Sequence, residues 1–130
     1  SSAASDVYKR QVFEILKSGF SLSDYQFDEW YADTCHRVRH GISRLIVMHY
    51  GSEPAATATV LFDDDKSCFL SHIAVRRDMQ KNGIGTALLS CTANLLDNRK
   101  ITLICKKNVQ RFYISCGFTV AGTAYEIARG

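Results

Sequence analysis

Seven consecutive residues, Gln80-Lys81-Asn82-Gly83-Ile84-Gly85-Thr86, carry the clearest capacity for chemistry. Two glycines one residue apart let a backbone turn tightly and approach a ligand. A helical stripe of Ile84, Ala87, Leu88, Cys91 and Leu95 starts between them, so several N–H groups and the positive end of a helix dipole face one anion. That arrangement cradles a pyrophosphate. No Lys-Ser/Thr pair follows, which excludes a Walker loop, and the missing third glycine argues against a dinucleotide fold. A plain tight turn into a helix would use the same residues, so the surroundings must decide. Other groups carry less. His36 and His40 stand four apart beside Arg37 and Arg39 with no carboxylate at matching spacing, a solvated basic face rather than a metal pair. Asp63, Asp64 and Asp65 lack the spacing of a calcium loop and mark a turn. Cysteines 35, 68, 91, 105 and 116 form no CxxC pair; their odd number and apolar settings fit buried free thiols in a reducing compartment. No metal is expected.

The elements that position the loop follow from hydrophobic periodicity. Val12, Phe13, Leu16 and Phe20 predict a first helix ending near Ser18, and Val7 and Tyr8 can extend its stripe. Ser23 or Asp24 caps a second helix with Phe27, Trp30, Tyr31, Cys35 and Val38 on one face and Gly41 as its stop. From Ser43 the pattern changes. Ser43–Tyr50 and Ala55–Phe62 read as a hairpin around Gly51, and Ser67–Val75 as a third strand. Arg76–Asn82 is a polar loop, and the helix after it ends near Asp97. The strand Ile101–Cys105, apolar but for Thr102, reads as buried on both faces. Val109, Phe112, Tyr113 and Cys116 predict a short helix stopped by Gly117, and Phe118–Ile127 returns as one or two strands. Hairpins require antiparallel pairing and the strand-helix-strand unit a parallel pair, so the sheet is mixed.

The order hairpin, strand, Q-x-x-G-x-G, helix, apolar strand, N-x-x-x-F-Y helix and Gly-Phe resembles the GCN5-related N-acetyltransferase (GNAT) family over most of Ile42 to Ile127. The resemblance implies a single-domain α/β fold, a mixed sheet flanked by helices, with a cleft where two parallel strands splay apart. It implies acetyl-CoA as cosubstrate: backbone at Ile73, Ala74 and Val75 for the pantetheine arm, Gln80, Lys81, Asn82, Gly83, Ile84, Gly85 and Thr86 for the pyrophosphate, and Arg76, Arg77 or Lys81 for the remaining phosphate. Tyr113 matches the tyrosine that protonates the departing thiolate, and packing beside Phe112 is its other reading. The family's asparagine stands seven residues before that tyrosine, whereas Asn108 stands five before Tyr113; a shortened loop would let it do the same job. Positions where family members place a Glu or His base fall on Phe69 and Ser71. His72 faces the other way by strand alternation unless a bulge re-aims it, which makes it a packed or edge histidine and leaves water-mediated deprotonation. Ser21–Trp30, with Asp24, Asp28 and Glu29, matches the segment that forms the acceptor pocket. The expected reaction is acetyl transfer to an amine of a small molecule or peptide; the alternative is a noncatalytic acyl-CoA-binding or sensing module.

The chain's 130 residues fit one domain. Apolar residues are 46% and charged residues 22%, a globular balance. The densest apolar run, Leu45–Met48, is too short to cross a bilayer, and no export signal is visible, so a cytoplasmic protein is expected. A net charge of +3, with no aromatics interleaved among Arg37, Arg39 and Arg44, gives no reason to expect a nucleic-acid partner. Ser1–Gln11, SSAASDVYKRQ, resembles the in-frame translation of a sequencing-library adapter. On that reading residues 1–11 are not native, Ser1–Ser5 are disordered or uncoupled from the core while the pattern of Asp6–Gln11 permits them to extend the helix, and 12–130 form an acetyltransferase domain lacking the family's first strand. The strand Ser43–Tyr50 would then be left without an edge partner, which predicts association or lower stability; a homodimer is among the expected partners.

Overall fold

A computed structural model describes residues 2–19, 26–97 and 99–128. Helices α1 (Ser2–Gly19) and α2 (Phe27–Arg39) precede a meander of β1 (Ser43–Tyr50), β2 (Glu53–Phe62) and β3 (Ser67–Val75). Helix α3 (Ile84–Leu95), strand β4 (Lys100–Leu103) and helix α4 (Gln110–Ser115) follow. The strands lie in the order β1-β2-β3-β4, antiparallel at the first two pairings and parallel at the last. The mixed α/β sheet expected from the pattern is therefore present.

Strand alternation sorts side chains to two faces. Ile46, Ala56, Ala58, Val60, Cys68 and Leu70 meet Leu88, Leu89 and Leu96 of the α3 side in the main core. Leu45 and Val47 point the other way, onto Val12 and Leu16 of α1 and Trp30 of α2. Helix α1 lies across β2 and β3, and α2 lies against β1.

Several expectations are corrected. The first helix starts at Ser2, so it runs through residues 6–11, whose pattern permits the extension, and through the four residues before them. Residues 2–5 lie within it, and Tyr8 packs against the α1 core and hydrogen-bonds His49 at 2.9 Å. The proposed caps Ser23 and Asp24 lie outside the described residues; Gln26 precedes α2 without a side-chain cap. Strand β4 is not buried on both faces. Only Ile101 and Leu103 reach the core, Lys100 and Thr102 are exposed, and the strand stops before Ile104, because β4 is a sheet edge. Phe118–Ile127 forms no strand. Its apolar phase switches from Phe118 and Val120 to Tyr125 and Ile127 at Gly122, so no single face could be buried along its length. Of the five thiols only Cys68 is buried, and Cys91 is exposed.

Candidate active site

The site begins where β3 and β4 part. They pair from Ser67 with Lys100 to Leu70 with Leu103. Beyond Leu70, β3 runs on to Val75 with β2 on one side and no strand on the other among the described residues. Ile73 and Val75 turn into the main core and Ala74 is buried, so along Ile73–Val75 it is the backbone that a ligand on the open side would meet. The Gln80 amide donates to the Val75 carbonyl at 3.2 Å, which assigns Gln80 to bracing the loop against the strand.

The loop turns through two left-handed residues, Lys81 at φ 68° and Gly83 at φ 76°. Alternating conformations of this kind curve successive N–H groups into an anion-binding concavity. Lys81 takes this conformation against a β-carbon penalty, strain that clusters at functional sites. The first helical bond beyond the loop runs from Ala87 N–H to Gly83 O at 3.0 Å. The preceding N–H groups of Ile84, Gly85 and Thr86 lie ahead of the ladder, as at every helix start. The two glycines serve different needs. Gly83 supplies the positive φ and has open space around it, whereas a β-carbon on Gly85 would stand 3.1 Å from Phe112 Cζ and 3.7 Å from Val75 Cγ2. Gly85 thus lets α4 close against the loop.

That closure places Tyr113, the next residue on α4. Its ring packs edge-to-face with Phe112 at 5.1 Å and Phe118 at 5.9 Å, and burial, with a smaller contribution from Cys105 and Cys116, raises its pKa above the usual tyrosine value. The phenol therefore stays protonated. Both readings of Tyr113 meet in one residue: its ring is half core and its hydroxyl has no hydrogen-bond partner among the described residues. Asn108 is exposed on the 3-10 turn Lys107–Val109 that leads into α4.

His72 is where alternation misleads. Thr59 pairs with His72 and Val60 with Leu70, leaving Ser71 as a bulge. The extra residue shifts the phase, so that Leu70, Ile73 and Val75 share the main core and His72 lies with Phe69 and Thr59 on the side of α1 and α2. Ser71 Oγ stands 3.2 Å from His72 Nδ1 and 3.4 Å from Thr59 O. Burial, and after it the positive charge of Arg37, lowers the His72 pKa below the usual histidine value, which keeps the imidazole neutral at pH 7. The sequence did contain a signal: the spacing Cys68, Leu70, Ile73, Val75 breaks period two between Leu70 and Ile73.

Among the basic residues, Arg76 is committed elsewhere, to Asp78 at 2.6 Å, Glu53 at 3.2 Å and the Pro54 carbonyl, whereas Arg77 and Lys81 are exposed. Residues 20–25 of the expected acceptor segment lie outside the described residues. Asp28 and Glu29 are exposed on α2, while Phe27 and Trp30 pack against Phe13. An apolar cavity of about 450 Å³ between α1, α2 and β1, lined by Trp30, Tyr31, Leu45 and Val47, includes no residue of the glycine loop. No group of three or more metal-ligating side chains occurs among the described residues.

Comparison with curated proteins gives no match. Among solved structures, an aminoglycoside acetyltransferase from an uncultured soil metagenomic sample superposes with a TM-score of 0.76 at 14% identity, over 92% of this chain and 86% of that one. A transcriptional regulator from Bacillus halodurans gives 0.76 at 15% over 94% and 93%. Glucosamine-6-phosphate N-acetyltransferase from Arabidopsis thaliana gives 0.67 at 16% over 95% and 92%. At these identities the likeness is one of fold. The acetyltransferase (GNAT) domain family matches residues 41–120, from the end of α2 through the glycine loop and α4, and the chain belongs to that family.

Proposed function

We propose that the protein transfers an acetyl group from acetyl-CoA to an amine of a small molecule or peptide by direct attack on the thioester. The observation that carries this reading is the parting of β3 and β4 after Leu70 and Leu103, with the left-handed loop at the end of β3 and Tyr113 on the adjoining helix. The open edge of Ile73–Val75 suits the pantetheine amides, and the N–H groups of Lys81–Thr86 suit the pyrophosphate. Asn108, exposed on the turn into α4, takes the role of the family's asparagine on this reading, and Lys81 and Arg77 are the cations left for the remaining phosphate.

The chemistry needs a neutral amine, a stabilised oxyanion and a proton for the leaving sulfur. His72, neutral and re-aimed by the bulge two residues beyond the last β3–β4 pair, accepts the amine's proton in place of bulk water. A backbone N–H of the β3 edge stabilises the oxyanion. As the C–N bond forms and the C–S bond breaks, Tyr113 gives its proton to the thiolate, whose intrinsic pKa of about 8.5 lies well below that of the phenol. Acetyl-CoA as cosubstrate and free cysteines suit a cytoplasmic setting, and the reaction itself calls for no nucleic acid or membrane.

An amine panel incubated with acetyl-CoA and read by mass spectrometry tests the reading. Acetylated product with matching free CoA is expected. Acetyl-CoA should also raise the melting temperature, and Gly83→Asp, which puts a carboxylate into the cradle, should abolish that shift. A thermal shift without product from any amine would favour the acyl-CoA-binding module instead. An undiminished shift in folded Gly83→Asp protein would remove the site assignment.

A further inference from the structure

Three residues stand in one row across the sheet: Leu45 of β1 pairs with Thr59 of β2, and Thr59 pairs with His72 of β3. Paired residues of neighbouring strands share a face, and Leu45 sets this row on the side of α1 and α2. Helix α2 lies against β1. Trp30, Asp33, Thr34 and Arg37 recur along it at helical spacing and are all half-buried, so this stripe carries Arg37 toward the sheet, where its charge acts on His72. The guanidinium is held lightly. Among the described residues its ion pair is the one from Nη2 to Asp33 Oδ2 at 3.1 Å, a turn back on the same helix, with the two side chains 42% and 41% exposed. Exposed pairs of this kind contribute little to stability. A guanidinium carries five N–H donors in a planar fork that matches a carboxylate or a phosphate, and one such pair leaves most of that fork to a ligand.

We propose that Arg37 receives an anionic group of the acceptor, a carboxylate or phosphate a few bonds from the reacting amine, so that amino acids or phosphorylated amines are acetylated in preference to neutral or cationic amines. This rests on the reading of His72 as the base for acetyl transfer. A cation beside a base opposes the proton that the base must accept. An acceptor that lays its own anion on the guanidinium removes the opposition, because the added negative charge offsets Arg37 and favours the imidazolium as the amine's proton arrives. Asp33 holds the guanidinium until then and shares it with the incoming anion. The placement suits a small acceptor. The last β3–β4 pair, Leu70 with Leu103, stands two residues before His72, so the amine, the base and Arg37 fall on one side of the sheet beside the parting. Asp28 and Glu29, the carboxylates that would draw a cationic acceptor, lie about 12 Å or more from Arg37 along the axis of α2.

Matched acceptors test this with the full chain and acetyl-CoA: each of the common amino acids against its primary amide, and O-phosphoethanolamine against ethanolamine, with product followed by mass spectrometry. The amide's amine loses its proton more readily than the amino acid's, so a preference for the acid cannot come from amine basicity. The anionic partner of at least one pair should be favoured roughly tenfold or more in kcat/KM, chiefly through KM, and the pair that shows it identifies carboxylate or phosphate as the group received. Arg37→Gln should bring that ratio close to one, and Arg37→Lys should restore part of it. Asp33→Asn, which takes away the competing carboxylate, should lower KM for the anionic partner. The acetyl-CoA thermal shift reports whether each variant keeps its fold and its cosubstrate site. Product from neutral or cationic amines alone, equal or better use of the neutral partner in every pair, or an undiminished ratio in folded Arg37→Gln protein would each overturn the proposal and leave acetyl transfer standing. No product from any amine would overturn both.

Discussion

His72 and Tyr113 illustrate how a side chain's surroundings select its protonation state. Burial and Arg37 hold His72 neutral, with a pKa below the usual value near 6.5. Turnover at saturating acetyl-CoA should therefore stay flat through neutral pH and fall only below that value, as the base is protonated. The same shift has a sign for stability. The unfolded chain takes up the proton first, so the His72 contribution is complete above about 6.5 and diminishes as pH falls toward the folded pKa. His72→Gln should lower kcat/KM at neutral pH by roughly a hundredfold and flatten both profiles between pH 5 and 7. Wild-type rates in that variant would return the proton to water. For Tyr113 the phenol matters only as the thiolate leaves, so Tyr113→Phe should lower kcat about tenfold or more with acetyl-CoA affinity and melting temperature nearly unchanged. Equal turnover would make it a packing residue alone.

Elements transmit these placements. Gly85 is the point where the start of α3 touches α4, and the clearance to Phe112 is small. An alanine inside a helix ordinarily stabilises by about 1 kcal/mol over glycine. Here its β-carbon would stand 3.1 Å from the Phe112 ring, and α4 must shift by a few tenths of an ångström. Gly85→Ala should thus fail to raise the melting temperature and should lower kcat through Tyr113, a combination readable by paired thermal and kinetic measurements. Strand β2 offers a contrasting case. Thr57 is fully buried and its hydroxyl has no partner among the described residues. Thr57→Val keeps the β-branched shape and removes the stranded oxygen, which should stabilise the fold by about 1 kcal/mol in a denaturant titration.

At the scale of the molecule, two helical layers enclose one sheet, and the amino-terminal layer depends on α1. Val12, Phe13, Ile15 and Leu16 are its buried residues, but Tyr8 adds ring stacking and a hydrogen bond at His49, Lys9 lies 4.5 Å from the Tyr31 ring and Arg10 lies 4.2 Å from that of Phe27. Residues 6–11 thus serve the fold whatever their origin. Deleting residues 1–11 should leave a folded protein, since the buried side chains remain, yet lower its stability by roughly 1–2 kcal/mol. A melting temperature unaffected by the deletion would show that these contacts contribute nothing.

The sequence by itself determined the order of elements from α1 to α4, the mixed pairing of the sheet and the loop between strand and helix. Each is encoded locally, by the two-residue period of Ser43–Tyr50, the helical stripe from Ile84 and the glycines at 83 and 85. It also placed Tyr113 on its helix, though not its packing against Phe118. Tertiary structure decided what depends on distant neighbours. The bulge at Ser71 exists only relative to Thr59 and Val60 of another strand, and it alone moves His72 to the other face. The division of labour between Gly83 and Gly85 appears only when Phe112 arrives from another helix. Segment 118–127 has the composition of a strand, but a strand needs an edge in register to complete its hydrogen bonds, and among the described residues this segment pairs with none.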